Sequence, residues 1–340
     1  MLDRALMTLQ RGIAYENIAT HRARAGPRRG ESASRRTESV AHALSCVHFY
    51  FEKDEKTMFS KKRLLASYWS IAGDTYPGFT SEVSPFDFRE RVEIAAAVGF
   101  NALGLAHQDL LALRDRLGYQ QVRSIMAANG IKELEVETLR HWSASGDRGR
   151  ASDAMRRDLL EAAEALGARH IKVSGDTSGV EHSTQILADS FGKLCADAAR
   201  VGSRVGIEIM PWSNFATITR TMEMVNAAAA PNGGVLLDIW HVARGGIDMA
   251  EIGRLPKEAI ISIEINDAAA KPADDLWEDT VHNRLLPGEG SFEIARFLSE
   301  VEKTGYDGPI GVEVLSRKHR KEPLRQAAET VYASAAKYLS

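Results

Sequence analysis

Four carboxylates occur in the same local setting. Glu208 lies in Ile207-Glu208-Ile209, Asp238 in Leu237-Asp238-Ile239, Glu264 in Ile263-Glu264-Ile265 and Glu313 in Val312-Glu313-Val314. Each acid has an aliphatic residue on both sides. Successive side chains of a strand point to opposite faces, so buried flanks leave the acid on the other face. If these four strands are neighbours in one sheet, the acids converge on a shared volume.

Such convergence is costly. Two carboxylates about 5 Å apart repel by roughly 3 kcal/mol at an effective dielectric near 20. Summed over the pairs of a four-acid cluster, the repulsion is on the order of 20 kcal/mol. A fold with ~5–15 kcal/mol of net stability does not tolerate that unrelieved. Some acids must be protonated, or cations must be present. Lys172, in His170-Ile171-Lys172-Val173, can offset one or two acids, and a divalent metal offsets all four. Oxygen-only ligation suits a hard ion, Mg²⁺ or Mn²⁺, with Co²⁺ as a substitute. The alternative is a network of barrel acids with lysine and arginine and no metal.

The elements that would position these residues are regular from Leu64 onward. Strands are expected at Leu64–Ser70, Ala102–Ala106, Leu134–Leu139, His170–Ser174, Gly206–Met210, Val235–Trp240, Ile260–Asn266 and Ile310–Leu315. Helical spacing is found at Phe86–Val98, Ser152–Leu166, Ser183–Arg200, Thr217–Ala229, Phe292–Lys303 and Glu322–Tyr338. Ser84-Pro85 precedes the first of these, a start signal for a helix. Gly99, Gly130, Gly167, Gly202 and Gly305 each fall just before a strand, as helix-ending glycines do. Alternating strands and helices imply a parallel sheet, and eight units close naturally into an α/β (β/α)₈ TIM barrel. An open doubly wound sheet would want a glycine-rich phosphate turn after an early strand, and Gly73 alone does not supply one. In such a barrel the acids lie toward the C-terminal strand ends, where barrel active sites are built.

Composition narrows the function classes. The chain has 340 residues and a formal net charge of -3, with 44% hydrophobic and 26% charged residues. That balance gives no bulk attraction to nucleic acid or to an anionic membrane. Only Cys46 and Cys195 are present, which excludes a disulfide framework or thiolate zinc site and fits a reducing, cytoplasmic setting. No apolar run is long enough to span a bilayer. Residues 1–57 differ from the rest: Arg22, Arg24, Arg28, Arg29, Arg35 and Arg36 lie among Gly, Ser and Pro, with no apolar core of the secretory type. They are expected to form a flexible N-terminal extension, or to reflect a start placed too early with Met58 as the true first residue. Residues 58–340 are expected to be the barrel.

Gly-Ile-Glu-Ile-Met-Pro, Leu-Leu-Asp-Ile-Trp-His, Ser-Ile-Glu-Ile-Asn-Asp and Gly-Val-Glu-Val-Leu-Ser resemble matching segments of the sugar isomerase/epimerase superfamily with a xylose-isomerase-like TIM barrel. The resemblance runs from about Leu64 to Leu339 and includes Leu-Pro-Gly-Glu-Gly and Gly-Tyr-Asp-Gly-Pro. It implies a divalent metal held by Glu208, Asp238, Glu264 and Glu313. It also implies that Glu208 and Glu313 exchange protons with the substrate, that His241 contacts it, and that Arg284 binds it. One departure stands out: a neutral His or Gln is usual where this chain has Glu264. A fourth anion would hold the metal more tightly and lower its Lewis acidity, or it would serve beside the metal or on the substrate.

Other candidates follow from position. Glu135 and Glu137 share a strand face; Glu137 is nearer the active end and is a candidate for substrate contact or base, with pairing to Lys172 as the alternative. Lys172 is itself a candidate for substrate contact. His107 and Gln108 follow the second strand and would line the pocket or a solvated loop. Trp69, Trp142, Trp212, Trp240 and Trp277 fall at strand ends and in loops, as sugar-stacking walls or as packing. The long Asp267–Ser291 loop, with His282, Arg284 and Glu289, could act as a lid.

The sequence therefore implies a metal-dependent isomerase or epimerase of a small carbohydrate-like substrate, working by proton abstraction next to a carbonyl. A lyase or dehydratase of the same superfamily is the first alternative, and a non-catalytic sugar-binding or partner-subunit barrel the second. A homo-oligomer is left open. A nuclease of the same superfamily would need a histidine-rich multi-zinc site and a basic groove, and the ten histidines are scattered.

Overall fold

The computed structural model describes residues 63–339. Eight parallel strands close into a barrel in chain order. They are β1 (Leu64–Ala66), β2 (Ala102–Ala106), β3 (Glu133–Leu139), β4 (His170–Ser174), β5 (Arg204–Glu208), β6 (Gly233–Asp238), β7 (Ile260–Ile265) and β8 (Ile310–Val312). Closure pairs Leu64 with Ile310 and Ala66 with Val312. The (β/α)₈ expectation holds. The N-terminal extension expected over residues 1–57 lies outside the described residues.

The surrounding helices are α1 (Tyr68–Ile71), α2 (Phe88–Val98), α3 (His107–Arg116), α4 (Tyr119–Ala128), α5 (Gly146–Leu166) and α6 (Thr184–Arg200), followed by α7 (Ile218–Ala228), α8 (Ile239–Arg244), α9 (Leu276–His282), α10 (Ile294–Lys303) and α11 (Leu324–Ala336). The aliphatic flanks of the four acids face these helices. Ile207, Ile209, Leu237, Ile239, Ile263, Ile265, Val312 and Val314 are all fully buried. Each contributes about 1.5–3 kcal/mol by leaving water. The same alternation turns the acids inward, against the gradient of hydrophobic burial.

Several elements differ from expectation in their bounds, the eighth strand ending at Val312 rather than Leu315 and the fifth running Arg204–Glu208 rather than Gly206–Met210, and three differences bear on the site or its frame. The first strand stops at Ala66 rather than Ser70, because two serine hydroxyls leave the ladder. Ser67 Oγ donates to Glu264 Oε1 at 2.9 Å. Ser70 Oγ donates to the Val312 carbonyl and accepts from the Val314 amide, both at 2.8 Å, and so replaces backbone pairing to β8. The sixth strand stops at Asp238 rather than Trp240, because Asp238 Oδ1 accepts the Trp240 amide at 2.8 Å and caps α8. His241 therefore sits on a short helix, not on an extended strand. The connection from β2 to β3 holds two helices, α3 and α4, where Gly130 marks the end of one helix of unassigned span.

Gly99 ends α2 at φ 119°, and a Cβ there would lie 2.5 Å from the Tyr332 ring on α11. The helix end is thus fixed both by conformation and by close packing. No described helix is long and apolar enough to cross a membrane.

Candidate active site

The inward acids meet as the alternation requires. Glu208, Asp238, Glu264 and Glu313 each offer one oxygen, and these oxygens all lie within 4.8 Å of one another. Asp238 and Glu264 are register partners across β6 and β7. Gly311 of β8 is the next partner of Glu264. A Cβ on Gly311 would lie 2.7 Å from Glu264 Cγ, so the glycine leaves the room that the glutamate uses.

Two cations are threaded among the acids. Lys172 Nζ donates to Glu264 Oε1 and Oε2 at 2.8 and 2.9 Å and to Glu313 Oε1 at 2.9 Å. It lies 3.3 Å from Glu137 Oε2 and 4.0 Å from Glu208 Oε1. Arg284 Nη1 donates to Asp238 Oδ2 at 2.5 Å and to Glu313 Oε2 at 3.0 Å. Arg284 Nη2 donates to Thr280 Oγ1 at 2.8 Å. His241 Nε2 stands 3.4 Å from Glu208 Oε1 and 4.0 Å from Asp238 Oδ2. Lower in the barrel, His170 Nε2 and Glu135 Oε2 are 2.5 Å apart, a fully buried pair.

This arrangement drives proton affinities apart. Burial raises the Glu208 carboxyl, but Lys172 and His241 outweigh it and hold the group down at about 2. Burial raises Glu137 to about 8 in spite of Lys172. Burial also raises Glu313, against Lys172 and Arg284. Burial opposes the Lys172 charge, yet Glu137, Glu264 and Glu313 raise the group well above the usual lysine range. Neighbouring carboxylates held in opposite protonation states are the pattern of acid–base sites.

A cavity of about 310 Å³ opens at the C-terminal end of the strands. Glu137, Lys172, Glu208, His241, Arg284 and Glu313 line it. Asp238 and Glu264 are fully buried and do not line it. Trp69, Trp212 and Trp277 form apolar parts of its wall. Trp142 instead donates to the Ser174 carbonyl, and Trp240 packs against Trp212 and His241. The Asp267–Ser291 segment contributes Trp277, Thr280, Val281 and Arg284 to the cavity. His282 turns away to Arg320, 2.8 Å from its Nδ1.

His107 and Gln108 do not reach the cavity. His107 Nε2 pairs with Asp158 at 2.9 Å, and Gln108 accepts the Glu82 amide at 3.0 Å. Both lie on α3, which is why a loop reading misplaced them. Several site residues carried no obvious sequence signal. Ser67 sits inside an apolar run, and Thr280 inside the long loop. Asn266 Nδ2, which donates to Asp238 Oδ1 at 2.8 Å, was accessible to the same alternation that found Glu264 two residues earlier.

The donor set suits a divalent cation. It is all oxygen and mutually close. Glu137 keeps its proton up to about 8 and is left out of the charge count; the four clustered acids still outnumber the cations Lys172 and Arg284, so a further positive charge is accommodated.

The chain matches the family model described as xylose isomerase-like TIM barrel over residues 92–335. It is 29% identical to a 3-dehydroshikimate dehydratase of Pseudomonas putida and 30% identical to one of Pseudomonas aeruginosa. Each match covers 70% of this chain but 38% of the relative, so the chain spans well under half the length of these curated relatives. It is 21% identical to an inosose isomerase of Bacillus subtilis, over 62% of this chain and 78% of that one. Among solved structures, a xylose isomerase-like TIM barrel/4-hydroxyphenylpyruvate dioxygenase fusion protein is 26% identical. It superposes at a TM-score of 0.71, covering 82% of this chain and 42% of that one. The IOLI protein, solved with a zinc atom, has the same TM-score at 16% identity, covering 82% and 98%. That neighbour supports the fold. The family match spans most of the closed barrel, and the chain belongs to the xylose isomerase-like TIM barrel family.

Proposed function

We propose that this barrel removes the proton next to the carbonyl of a small polyhydroxylated ketone, and so acts as an isomerase, epimerase or dehydratase. One arrangement carries the reading. Glu208 and Glu313 enter a single cavity from β5 and β8, which are not neighbours, with the Lys172 and Arg284 cations between them. The names of the relatives, a dehydratase and an isomerase of cyclic polyhydroxy ketones, support the substrate class.

In this reading Glu208, Asp238 and Glu313 hold a divalent cation, Mn²⁺ or Mg²⁺ with Co²⁺ as a substitute, and Glu264 completes the acid cluster bound to it or beside it. When bound, the cation supplies Lewis acidity toward the substrate oxygens. Glu313, whose proton affinity is raised by burial, takes the α-proton. Glu208 faces the substrate from the other side as an ionised group. His241 and Arg284 bind substrate oxygens, and Lys172 compensates the enolate charge. Glu137, protonated up to about 8, is suited to deliver a proton rather than take one. Returned to carbon, that proton completes an isomerisation; delivered to a β-hydroxyl, it releases water. The tryptophans wall the apolar face of the ring. A cytoplasmic site of action is part of the proposal.

Deuterium uptake from D₂O is the test. 3-Dehydroshikimate, an inosose and a set of ketohexoses are incubated with the protein and followed by mass spectrometry. Exchange at the α-carbon, or elimination, is expected with at least one cyclic β-hydroxy ketone. Glu313→Gln should slow it by ~10²–10⁴. Turnover that survives Glu313→Gln unchanged would overturn the assignment. Tight binding of a ketone with neither exchange nor turnover would favour a non-catalytic sugar-binding barrel. The observation that favours this second reading is that Lys172 and Arg284 already pair with Asp238, Glu264 and Glu313.

A further inference from the structure

The site contains one acid more than its role as a cation holder requires, and one lysine placed against it. Glu264 is fully buried and gives both oxygens to Lys172, with Ser67 as a further donor. An ammonium has three protons. Here the acceptors that surround it are Glu264, Glu313 and Glu137. Lys172 is also nearly inaccessible to solvent. Deleting Lys172 leaves Glu264 buried with Ser67 as its remaining donor, whereas deleting Glu264 turns the ammonium toward Glu313 and Glu137.

A divalent ion held by Glu208, Asp238 and Glu313 would sit beside this pair. Alone, Glu264 would add a fourth negative charge to the ion's surroundings. Alone, Lys172 would add a positive charge only a few ångströms away. Together they add almost none, and Glu264 keeps an oxygen within 4.8 Å of the other three donors. The lysine therefore does electrically what a neutral side chain at position 264 would do by itself. Two backbone-level features maintain the pairing. Gly311 leaves space for the Glu264 side chain, and Lys172 is fixed on the rigid β4 strand.

We propose that Lys172 and Glu264 act as one charge-compensated unit that sets how tightly the acid cluster holds a divalent cation. This rests on the reading of the cluster as a cation site. Lys172 is thus a positioning and tuning residue for the cation, in addition to any contact with substrate.

The test is Mn²⁺ titration by calorimetry on full-length protein stripped with a chelator, using wild type, Glu264→Gln, Lys172→Met and the double variant. Lys172→Met exposes the fourth carboxylate to the ion and should tighten Mn²⁺ by at least about tenfold. Glu264→Gln removes one negative charge and leaves the ammonium to Glu313 and Glu137, so it should weaken Mn²⁺ by about 10–100-fold, the range for groups that tune a metal from beside its ligands. The double variant should return to within about threefold of wild type. A purely structural lysine would instead weaken Mn²⁺ when removed, which would overturn the proposal, as would a double variant that binds Mn²⁺ no better than Glu264→Gln. If Lys172→Met does not fold, recovery of Mn²⁺ affinity in the double variant relative to Glu264→Gln decides the matter. Absence of Mn²⁺ binding in every variant overturns the unit. Deuterium exchange by the wild type would then still show whether the acid–base reading stands.

Discussion

Arg284 Nη1 lies 2.5 Å from Asp238 Oδ2, and both side chains are buried inside the barrel. The guanidinium comes from the β7–α10 connection and reaches a strand-end acid capped on its other oxygen by the Trp240 amide and Asn266. The same nitrogen also reaches Glu313. One cation thus joins β6 to β8 across β7. Replacing it with methionine keeps much of the volume but leaves two buried carboxylates short of a partner. In chelated buffer, Arg284→Met should cost about 3–5 kcal/mol in urea denaturation. Adding Asp238→Asn should recover part of that loss. A loss under about 1 kcal/mol would mean that the pair contributes nothing net to the fold.

Glu264 depends on a missing side chain. Gly311 has neither a positive φ nor a turn to explain it, yet an alanine Cβ would lie 2.7 Å from Glu264 Cγ and 3.1 Å from the Ile263 carbonyl. Overpacking of this kind costs about 1–3 kcal/mol. Gly311→Ala should lower the thermal midpoint by several degrees and shift Mn²⁺ affinity. Gly206→Ala is a milder comparison in the same barrel, where the Cβ would lie 3.1 Å from Ile261 Cγ2 and 3.2 Å from Ile261 Cβ. Equal melts for wild type and Gly311→Ala would show that the strand has slack at Glu264.

Much of this site was legible in the sequence because burial and alternation are linked. An acid between two aliphatic residues has one face to occupy, so Glu208, Asp238, Glu264 and Glu313 could be placed inside the barrel without coordinates. What was not legible depended on side chains competing with the backbone. Ser70 replaces ladder bonds at β1, and Asp238 caps a helix while serving the cluster. Both end a strand earlier than its apolar run suggests. The partners of Lys172 were also hidden. Strand order predicts that it faces the axis, but which acids it reaches depends on how a long side chain crosses the barrel from β4 to β7 and β8. His107 was misplaced for a simpler reason: α3 begins directly at the strand end, so the residue is turned toward Asp158 on α5.

The barrel closes using residues from Leu64 onward, with β1 paired to both β2 and β8. A chain beginning at Met58 therefore retains every described strand and every residue of the candidate site. It should melt within about two degrees of the full chain, since the barrel closes among the described residues alone. A loss of several degrees would show that the segment before Met58 contributes to the barrel.

His319 provides a pH-dependent test of the seam between β1 and β8. It lies just after β8, mostly buried, with Nε2 at 2.8 Å from the Ser70 carbonyl. A carbonyl only accepts, so Nε2 carries the proton and the ring can be neutral. Burial lowers the His319 pKa below the ordinary histidine value of 6.5, and the bond to Ser70 only partly opposes this. The unfolded chain then binds a proton more readily than the folded one. Stability from this group is complete above 6.5 and is lost as pH falls through the folded-state value. Glu137 acts in the opposite sense, because its raised carboxyl favours the folded state at lower pH. The informative quantity is therefore the difference between wild type and His319→Gln, measured as thermal midpoint from pH 8 down to 5 in chelated buffer. Glutamine can still donate to the Ser70 carbonyl but does not titrate. The midpoint of wild type should fall relative to the variant once pH drops below about 6.5. Parallel curves across that range would mean that His319 is protonated as easily in the fold as outside it, and that the seam is open to water.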